Sequence, residues 1–193
     1  EKEPKVRNEL LEMLRSATTS LEETVQHLNE VVAVNTSSEK NLKPLHLKKH
    51  VDAAVSNVEA LLLSCGGKIK TEVSPSLKVM ALPAYLDSVL LNFLTNAIKY
   101  QSPDRLLLIT IRAVLLDDKI ELYIADNGLG INLKLHRAKL FGMYKTFHRH
   151  KDSRGIGLFI TKNQVEAMGG SIDVESEPGV GTTFKITLKI NEN

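Results

Sequence analysis

Apolar residues recur at helical spacing in the first part of the chain. No glycine occurs between Pro4 and Asn35, and seven positions follow one another at alternating intervals of three and four residues: Leu11, Leu14, Thr18, Leu21, Val25, Leu28 and Val32. This spacing is typical of a coiled-coil seam. We therefore predict a long helix over residues 4–35. Its stripe needs a second helix, from the same chain or from a second subunit, unless the helix packs on its own domain.

A second helical pattern, from Leu86 to Tyr100, is apolar around most of its circumference but carries one polar stripe. The stripe consists of Ser88, Asn92, Thr95, Asn96 and Lys99. An unpaired buried amide costs roughly 1–3 kcal/mol, so these side chains should face hydrogen-bonding partners, a ligand or water. Two interpretations are open: the asparagines bond a neighbouring backbone, or the stripe is one wall of a binding site. The helix should follow Pro83 and end before Pro103.

The rest of the chain combines short strand patterns with further helices. A helix over about Lys48 to Ser64 has an apolar face made of Val51, Ala54, Val55, Val58, Leu61 and Leu62. Strand patterns cover Leu45 to Leu47, Lys68 to Val73 and Lys78 to Ala81 around a Pro75 turn, Leu106 to Leu116, Lys119 to Ala125, Ile172 to Val174 and Phe184 to Ile190. The nearly continuous apolar run of Leu106 to Leu116 predicts a strand covered on most of its surface. Strands at both ends with few helices between them predict an α+β fold, with one mixed, largely antiparallel sheet and helices packed on one face.

Composition limits the possible functions only slightly. The 193 residues are 42% hydrophobic, enough for a real core, and the nearly balanced net charge of +2 does not imply a nucleic-acid partner. Cys65 is the single cysteine, which excludes an intramolecular disulfide framework and fits a reducing compartment. The sequence has neither a run of eighteen apolar residues nor a signal-peptide pattern. We therefore expect soluble material and, because the chain starts at Glu1 without a methionine, a fragment of a longer protein.

Three glycine-rich stretches follow the polar-striped helix. Asp126-Asn127-Gly128-Leu129-Gly130 follows an alternating strand, Gly155-Ile156-Gly157-Leu158 opens a helix, and Gly179-Val180-Gly181-Thr182-Thr183-Phe184 starts another strand. Each glycine pair alone is a weak signal. In this order, behind a helix with the pattern N-x-x-x-N-A-x-K, they resemble the N, G1, G2 and G3 boxes of the histidine-kinase ATPase superfamily. The resemblance runs from about Leu42 to Ile190.

The resemblance implies a Bergerat-type ATP-binding fold, a two-layer α/β sandwich, preceded by the coiled-coil-type helix. Residues 1–38 then correspond to the second helix of a dimerisation and histidine-phosphotransfer hairpin. Residues 39–193 correspond to the catalytic domain, with an ATP lid at about 129–154. The phosphorylated histidine of the family lies on the first hairpin helix. His27 lacks the acid and the Thr/Ser-Pro pair that follow that histidine, so we expect no phosphoacceptor and no other catalytic residue in this chain.

The same resemblance assigns roles to individual side chains. Asn96 matches the family's magnesium ligand, a hard neutral oxygen donor, and Lys99 is placed to neutralise phosphate charge. Tyr100 is similar to the aromatic residue that lies along the ribose and base, and Asp126 matches the acceptor for the exocyclic amine of adenine. The nucleotide-binding set implied in this way is Asn92, Asn96, Lys99, Tyr100, Asp126, Gly128, Gly130, Ile131, Tyr144, Lys145, Arg154, Gly155, Ile156, Gly157, Leu158 and Thr182. Asn96 is its metal ligand.

Glycines complete the expected site. Gly128 and Gly130 would let the backbone approach the base without an intervening side chain. Gly155 and Gly157 open a helix whose N-terminal amides and dipole suit a phosphate.

The expected lid is basic. Between residues 131 and 154 it carries one acid, Asp152, against seven basic residues: Lys134, Arg137, Lys139, Lys145, Arg149, Lys151 and Arg154. The lid departs from the family at Thr146, near which an arginine is common, and at Ser153, which replaces the first G2 glycine. Whether Arg149 or Arg154 supplies the lost cation stays open.

One position separates the functional subclasses of the superfamily. In the hydrolytic relatives a glutamate four residues before the magnesium asparagine activates water, and here that position is Asn92. An amide cannot act as a general base. We therefore predict a protein-histidine kinase catalytic domain of a two-component system, with ATP and Mg²⁺ as cofactors. It would transfer the γ-phosphate to a histidine for relay to an aspartate of a response regulator.

The predicted partners are a second copy, through the N-terminal helix, and the receiver domain of a response regulator. We expect no nucleic acid, no direct membrane contact and a cytoplasmic location, whether or not the parent protein has a membrane anchor. Two other functions are considered. An anti-sigma-type kinase shares the nucleotide fold but phosphorylates serine or threonine, and it lacks an attached coiled-coil helix. A nucleotide-binding interaction module without transfer activity is disfavoured by the intact Asn96, Lys99 and Asp126.

Overall fold

Strands and helices follow one another in the order that the sequence patterns predict. The computed structural model describes residues 42–142 and 156–190. In chain order the elements are β1 (Lys43–His46), α1 (Leu47–Ser64), β2 (Lys68–Glu72), β3 (Lys78–Ala81), α2 (Pro83–Lys99), β4 (Leu108–Leu116), β5 (Lys119–Asp126), the short helix α3 (Leu133–His136), a 3-10 turn (Arg137–Lys139), α4 (Gly157–Ala167), β6 (Ser171–Glu177) and β7 (Gly181–Lys189). None of the helices in the described ranges is long and apolar enough to cross a membrane. The predicted helix over 4–35, the domain boundary after residue 38 and His27 lie outside the described residues.

Helix α2 is bounded by local sequence. Pro83 takes its first turn, where the fixed φ and the missing N–H are harmless. Lys99 lies in its last turn, where a cation interacts favourably with the helix dipole. The N–H of Tyr100 donates to Asn96 O (2.9 Å) and closes the helix. The helix therefore ends where the sequence predicts, directly before the loop that contains Pro103.

The strands form two sheets. Five strands form a mixed sheet in the order β2-β4-β5-β7-β6, in which β2 and β4 are parallel and the other neighbours are antiparallel. Strands β1 and β3 pair separately and antiparallel, with Lys43 opposite Ala81. The mixed, largely antiparallel sheet is confirmed, but the expectation of one sheet is wrong. The strands that flank the Pro75 turn do not pair, because β2 enters the large sheet beside β4 and β3 has β1 as its partner.

One face of the large sheet is apolar and covered by helices. A row of buried cross-strand neighbours runs over four strands: Ile111, Ile124, Phe184 and Val174. On the helix side, the ring centroid of Phe93 in α2 lies 4.5 Å from that of Phe184. Helix α2 also packs on α1 and α4, while α4 packs on β6. The predicted α+β fold, a two-layer sandwich with helices on one face, is confirmed.

Strand β4 is only partly buried. Leu115 and Leu116 are 53% and 39% exposed, so the expectation that this strand is covered on most of its surface is wrong. Leu116 alternates away from the buried Ile109 and Ile111 and lies on the other face of the sheet, whereas Leu115 lies on their face but at the end of the strand. Leu61, which the sequence predicts on the apolar face of α1, is 51% exposed.

Two neighbouring leucines of α2 test this layer arrangement. Leu90 is fully buried, whereas Leu91 is 38% exposed on the same helix. We expect Leu90→Ala to lower the free energy of unfolding by about 2–5 kcal/mol, because it leaves a cavity in the core. Leu91→Ala should lower it by less than about 1 kcal/mol. Urea unfolding followed by circular dichroism measures both, and equal losses would contradict the orientation of α2 on the sheet.

Candidate functional site

The first half of the polar stripe on α2 faces helix α4. Gln164 donates from Nε2 to Ser88 Oγ (3.1 Å), and Asn92 donates from Nδ2 to Thr161 Oγ1 (2.6 Å). Thr161 and Gln164 are buried, so these bonds lie inside the contact between the two helices. Asn92 therefore bonds a neighbouring side chain and not the neighbouring backbone that the first interpretation names, and Ser88 likewise bonds a side chain.

Gly157 lets the two helices approach each other at this point. A Cβ atom there would lie 2.6 Å from Asn92 Oδ1, closer than non-bonded atoms allow. Helix α4 begins at Gly157, its N-cap residue Ile156 provides no side-chain cap, and Leu158 packs against the core. Because Ile156 caps none of them with its side chain, the first backbone N–H groups of α4, together with the helix dipole, suit an anionic group.

The second half of the stripe continues to the end of α2. Asn96 donates from Nδ2 to Asn92 Oδ1 (3.3 Å). This bond involves the NH₂ group of the Asn96 amide and not its carbonyl oxygen. The Nζ atom of Lys99 lies 5.9 Å from the centroid of the Tyr100 ring. Thr95 differs from its neighbours on the stripe, because its hydroxyl donates back to a carbonyl of the same helix (2.9 Å). The end of α2 therefore offers an amide oxygen, an ammonium group and an aromatic ring.

The donor set at this end of α2 suits a magnesium ion that is held mainly by a nucleotide. The amide oxygen of Asn96 is a hard, neutral ligand, and Mg²⁺ usually takes few protein ligands together with phosphate oxygens and water. Within residues 42–142 and 156–190, no group of three or more His, Cys, Asp or Glu side chains could hold a metal ion. A cation bound beside Asn96 would therefore take most of its ligands from the nucleotide and from water.

Asp126 ends strand β5, opposite Thr182 of β7. Its Oδ1 accepts the N–H of Gly128 (2.8 Å), and the N–H of Thr182 also hydrogen-bonds the carboxylate. Burial raises the pKa of the Asp126 carboxyl above its ordinary value, whereas these two hydrogen bonds and the charge of Arg105 oppose the rise. A carboxylate has about four acceptor positions. The group therefore keeps capacity for a further donor, such as an amine.

Gly128 and Gly130 bring the loop after β5 against other parts of the backbone. A Cβ atom at Gly128 would lie 2.5 Å from Tyr100 O, and one at Gly130 would lie 1.9 Å from Glu177 O. Leu129, between them, donates its N–H to Tyr100 O (2.9 Å). These glycines make room for the protein's own backbone. That they also make room for a base stays a prediction.

Three further polar residues build this loop, and the sequence patterns did not indicate them. The Arg105 guanidinium donates to backbone carbonyls of two turns. Asn127 accepts the N–H of Leu108 at Oδ1 (2.8 Å), and Ser176 Oγ accepts the N–H of Ile131 (2.8 Å). The Asp-Asn-Gly turn could have pointed to Asn127. Arg105 and Ser176 bond residues that are distant in the sequence, for which periodicity carries no signal.

The first part of the expected lid is structured. Asn132 caps helix α3 by accepting the N–H of Leu135 at Oδ1 (3.3 Å), and Leu140, after the 3-10 turn, is buried. Arg137 donates to the Asp173 carboxylate on β6 (2.9 Å). The charge of this lid arginine is therefore paired with a carboxylate of the domain itself.

The structure places most of the predicted nucleotide-binding residues on neighbouring loops and helix ends. The described members are Asn92, Asn96, Lys99 and Tyr100 on α2 and at its end, Asp126, Gly128, Gly130 and Ile131 from the end of β5 onward, Ile156, Gly157 and Leu158 at the start of α4, and Thr182 on β7. Ser176 joins two of them, because its Oγ bonds Ile131 N and lies 2.9 Å from Thr182 Oγ1. The other four lie outside the described residues: Tyr144, Lys145, Arg154 and Gly155. The nucleotide-binding roles of all sixteen stay predictions. Three features of this set match parts of a nucleotide. The buried acceptor matches the base, the amide oxygen with a nearby ammonium group matches the metal ion, and the helix N-terminus matches the phosphates.

Comparison with known proteins identifies the family of this chain. The family described as histidine kinase-, DNA gyrase B-, and HSP90-like ATPase matches residues 81–192, more than half of the chain. That range contains helix α2, the loop after β5, the start of α4 and strand β7.

Two curated relatives are named as sensor proteins. Sensor protein SrrB of Staphylococcus aureus is 41% identical over 107 residues, which cover 53% of this chain and 18% of the relative. Sensor protein EvgS of Escherichia coli O157:H7 is 30% identical over 146 residues, which cover 73% of this chain and 12% of the relative. The chain therefore spans less than a fifth of the length of either relative.

A solved structure has the same fold. The mycobacterial sensor histidine kinase MprB matches with a TM-score of 0.65 at 25% identity, over 77% of this chain and 97% of that one. The family match and this structural match agree on the fold. This chain belongs to the histidine kinase-, DNA gyrase B-, and HSP90-like ATPase family, as a histidine kinase catalytic, ATP-binding domain.

Proposed function

We propose that this domain binds Mg-ATP and transfers the γ-phosphate to a histidine of a dimerisation helix, from which an aspartate of a response regulator receives it. Family membership supports ATP binding. The observation that favours transfer over hydrolysis is the hydrogen bonding of Asn92. Its amide donates to Thr161 and accepts from Asn96, so a neutral side chain occupies the position of the glutamate in hydrolytic relatives.

The difference between hydrolysis and transfer lies in the nucleophile. Hydrolysis needs a group that accepts a proton from the attacking water, and the amide of Asn92 cannot do this. In transfer to histidine, an imidazole nitrogen attacks the phosphorus directly. The nucleotide-binding domain then has to position the γ-phosphate and neutralise its charge. The residues on α2 and after β5 are suited to both tasks.

Each part of ATP would meet a different part of the site. The Asp126 carboxylate accepts a hydrogen bond from the exocyclic amine of adenine, a group that guanine lacks at that position. Asn96 Oδ1 holds the magnesium ion, which supplies charge neutralisation when bound. Lys99 adds a positive charge next to the phosphates, and the N–H groups that begin at Gly157 face them.

The relatives also suggest the wider context of this domain. They are much longer than this chain, and two are named as sensor proteins. This supports a two-component role, with a dimeric kinase and the receiver domain of a response regulator as partners. A reducing, cytoplasmic location is consistent with the single cysteine. The alternative of an interaction module requires the same nucleotide binding without transfer, so binding and transfer have to be measured separately.

Calorimetric titration tests the binding step first. We expect ATP to bind with an affinity in about the micromolar range, more tightly with Mg²⁺ than with EDTA, and more tightly than GTP. In the parent kinase with its acceptor helix, label from γ-labelled ATP should then appear as an acid-labile phosphate on histidine. Binding without transfer would favour the interaction module, and no binding of either nucleotide would overturn the proposal.

Asn96→Ala should remove the magnesium dependence of ATP binding, because it deletes the proposed protein ligand of the ion. In the presence of Mg²⁺ we expect at least about a tenfold loss of affinity, down to the value in EDTA. Ser88→Ala is the matched control on the same stripe, since its hydroxyl bonds Gln164 of α4. Magnesium dependence that survives in Asn96→Ala would show that the metal ligand is another residue.

The raised pKa of Asp126 predicts a pH dependence of base selection. Its ionised carboxylate is the acceptor, and burial makes this carboxyl protonate at a higher pH than an ordinary aspartic acid with a pKa of 3.8. The preference for ATP over GTP should therefore be complete near neutral pH and decline as the pH falls through the raised pKa. Titrations between about pH 7 and pH 4 measure the ratio of the two affinities. Protonation of the triphosphates affects both nucleotides alike and cancels in this ratio, whereas protonation of the adenine ring at the acidic end affects ATP alone and is measured in a variant without the carboxyl group.

Asp126→Asn is the control for this pH dependence. The amide keeps an acceptor oxygen but does not titrate, so in this variant the ratio should change only through protonation of the adenine ring, and less than in the wild type. A wild-type ratio that stays constant down to about pH 4 would contradict the role of Asp126.

A further inference from the structure

We propose that Arg105 is a positioning residue for base selection: its guanidinium holds the loop after β5 in the conformation that presents the Asp126 carboxylate to adenine. The inference rests on the proposed function, in which the domain binds ATP through this carboxylate. Arg105 lies between α2 and β4, outside the four glycine and asparagine boxes of the sequence. Its side chain reaches residues 22 to 75 positions further along the chain.

The Arg105 side chain joins two separate turns. Its Nε donates to Asn127 O (2.6 Å). Its Nη2 donates to Gly128 O (2.8 Å) and Gly179 O (2.7 Å), with a longer contact to Val180 O (3.3 Å). One guanidinium thus binds carbonyls of the turn after β5 and of the turn between β6 and β7. Hydrogen bonds from a charged donor are stronger than those between neutral groups.

These contacts fix two successive peptide groups, each through both its C=O and its N–H. The peptide group between Asn127 and Gly128 has its C=O bonded to Arg105 and its N–H bonded to Asp126 Oδ1 (2.8 Å). The next peptide group has its C=O bonded to Arg105 and its N–H, that of Leu129, bonded to the C-cap carbonyl of α2 (2.9 Å). A peptide plane held in this way cannot rotate without breaking a hydrogen bond.

Loss of the guanidinium would release the carbonyl side of both peptide groups. Both carbonyls could then turn towards water, and the N–H of Gly128 would turn with the plane that contains it. That N–H orients the Asp126 carboxylate. Adenine would then have to order the carboxylate during binding, at a cost in affinity. Guanine, which has no donor for this carboxylate at the same position, would lose little.

The turn between β6 and β7 is in close contact with the backbone of Asp126. A Cβ atom at Gly181 would lie 2.0 Å from Asp126 O, and Gly179 donates its N–H to Leu129 O (2.8 Å). Because Arg105 also binds Gly179 O, it holds this turn from a second direction. A lysine could not reproduce the arrangement, because its ammonium group lacks the planar fork with N–H bonds in fixed directions.

The charge of Arg105 supports the same role. It opposes the increase in the pKa of Asp126 that burial causes, which favours the ionised form that accepts a hydrogen bond. Arg105 can therefore influence base selection through both orientation and charge, without contacting the nucleotide.

The test compares dissociation constants for Mg-ATP and Mg-GTP in the wild type, Arg105→Gln and Arg105→Lys. Arg112→Gln is the matched control, because Arg112 lies on β4 with its guanidinium 4.9 Å from the centroid of the Tyr123 ring. We expect Arg105→Gln to weaken ATP binding about tenfold and GTP binding less than about twofold. Arg105→Lys, which keeps the charge but not the fork, should lower the preference for ATP by about threefold or more. Arg112→Gln should keep the wild-type preference.

Two further measurements separate positioning from a general loss of stability. In Arg105→Gln, the pH at which the preference for ATP declines should move upward, because the opposing charge is gone. In an Asp126→Ala background, Arg105→Gln should change the ratio of ATP to GTP affinity less than about twofold, because Arg105 acts through Asp126.

The outcomes distinguish this inference from the proposed function. A wild type with no preference for ATP over GTP would overturn the proposed base recognition and this inference with it. If Arg105→Gln keeps the preference for ATP, or loses the same factor of affinity for both nucleotides, the inference is overturned and the proposed function is not. Circular dichroism checks that each variant folds. If Arg105→Gln does not fold, Arg105→Lys decides, and an unchanged preference in that variant would refute the role of Arg105.

Discussion

The site depends on close contacts between backbone and neighbouring groups that leave no space for a side chain. Of the five described glycines at which a Cβ atom would come within 2.6 Å of another atom, four lie at the site: Gly128 at Tyr100 O, Gly130 at Glu177 O, Gly157 at Asn92 Oδ1 and Gly181 at Asp126 O. These contacts bring the end of α2, the loop after β5, the start of α4 and the start of β7 together. The glycine boxes therefore assemble the protein around the nucleotide site, and any approach to the ligand follows from that assembly.

The polar stripe of α2 has two roles along its length. Ser88 and Asn92 bond side chains of α4, which fixes the helix whose N-terminus would face the phosphates. Asn96 and Lys99 lie nearer the end of the helix, where a metal ion and phosphates can be bound. Asn92 connects the two halves, because it also accepts a hydrogen bond from Asn96. A neutral residue that is hydrogen-bonded on both sides suits phosphoryl transfer better than water activation.

The proposed recognition of adenine would depend in the same way on groups that surround the acceptor. Asp126 is held by two backbone N–H groups, and burial and the charge of Arg105 act on its pKa in opposite directions. Arg105 binds the carbonyls on the other side of the same loop. The carboxylate is therefore oriented before any ligand binds, which reduces the ordering cost of recognition.

Local sequence by itself determined the bounds of α2, because Pro83 favours a first turn and Pro103 prevents continuation, and it determined which strand residues alternate towards the core. The roles predicted for Asn96 and Asp126 follow instead from the resemblance to the family. Tertiary structure alone decided that β1 and β3 form a separate sheet, that Leu115 and Leu116 are exposed, and that Arg105 clamps two turns. The physical reason is the distance along the sequence over which each interaction acts. Proline stops and periodicity act over a few neighbouring residues, whereas strand pairing, burial and the carbonyl partners of a guanidinium depend on residues that only the folded chain brings together.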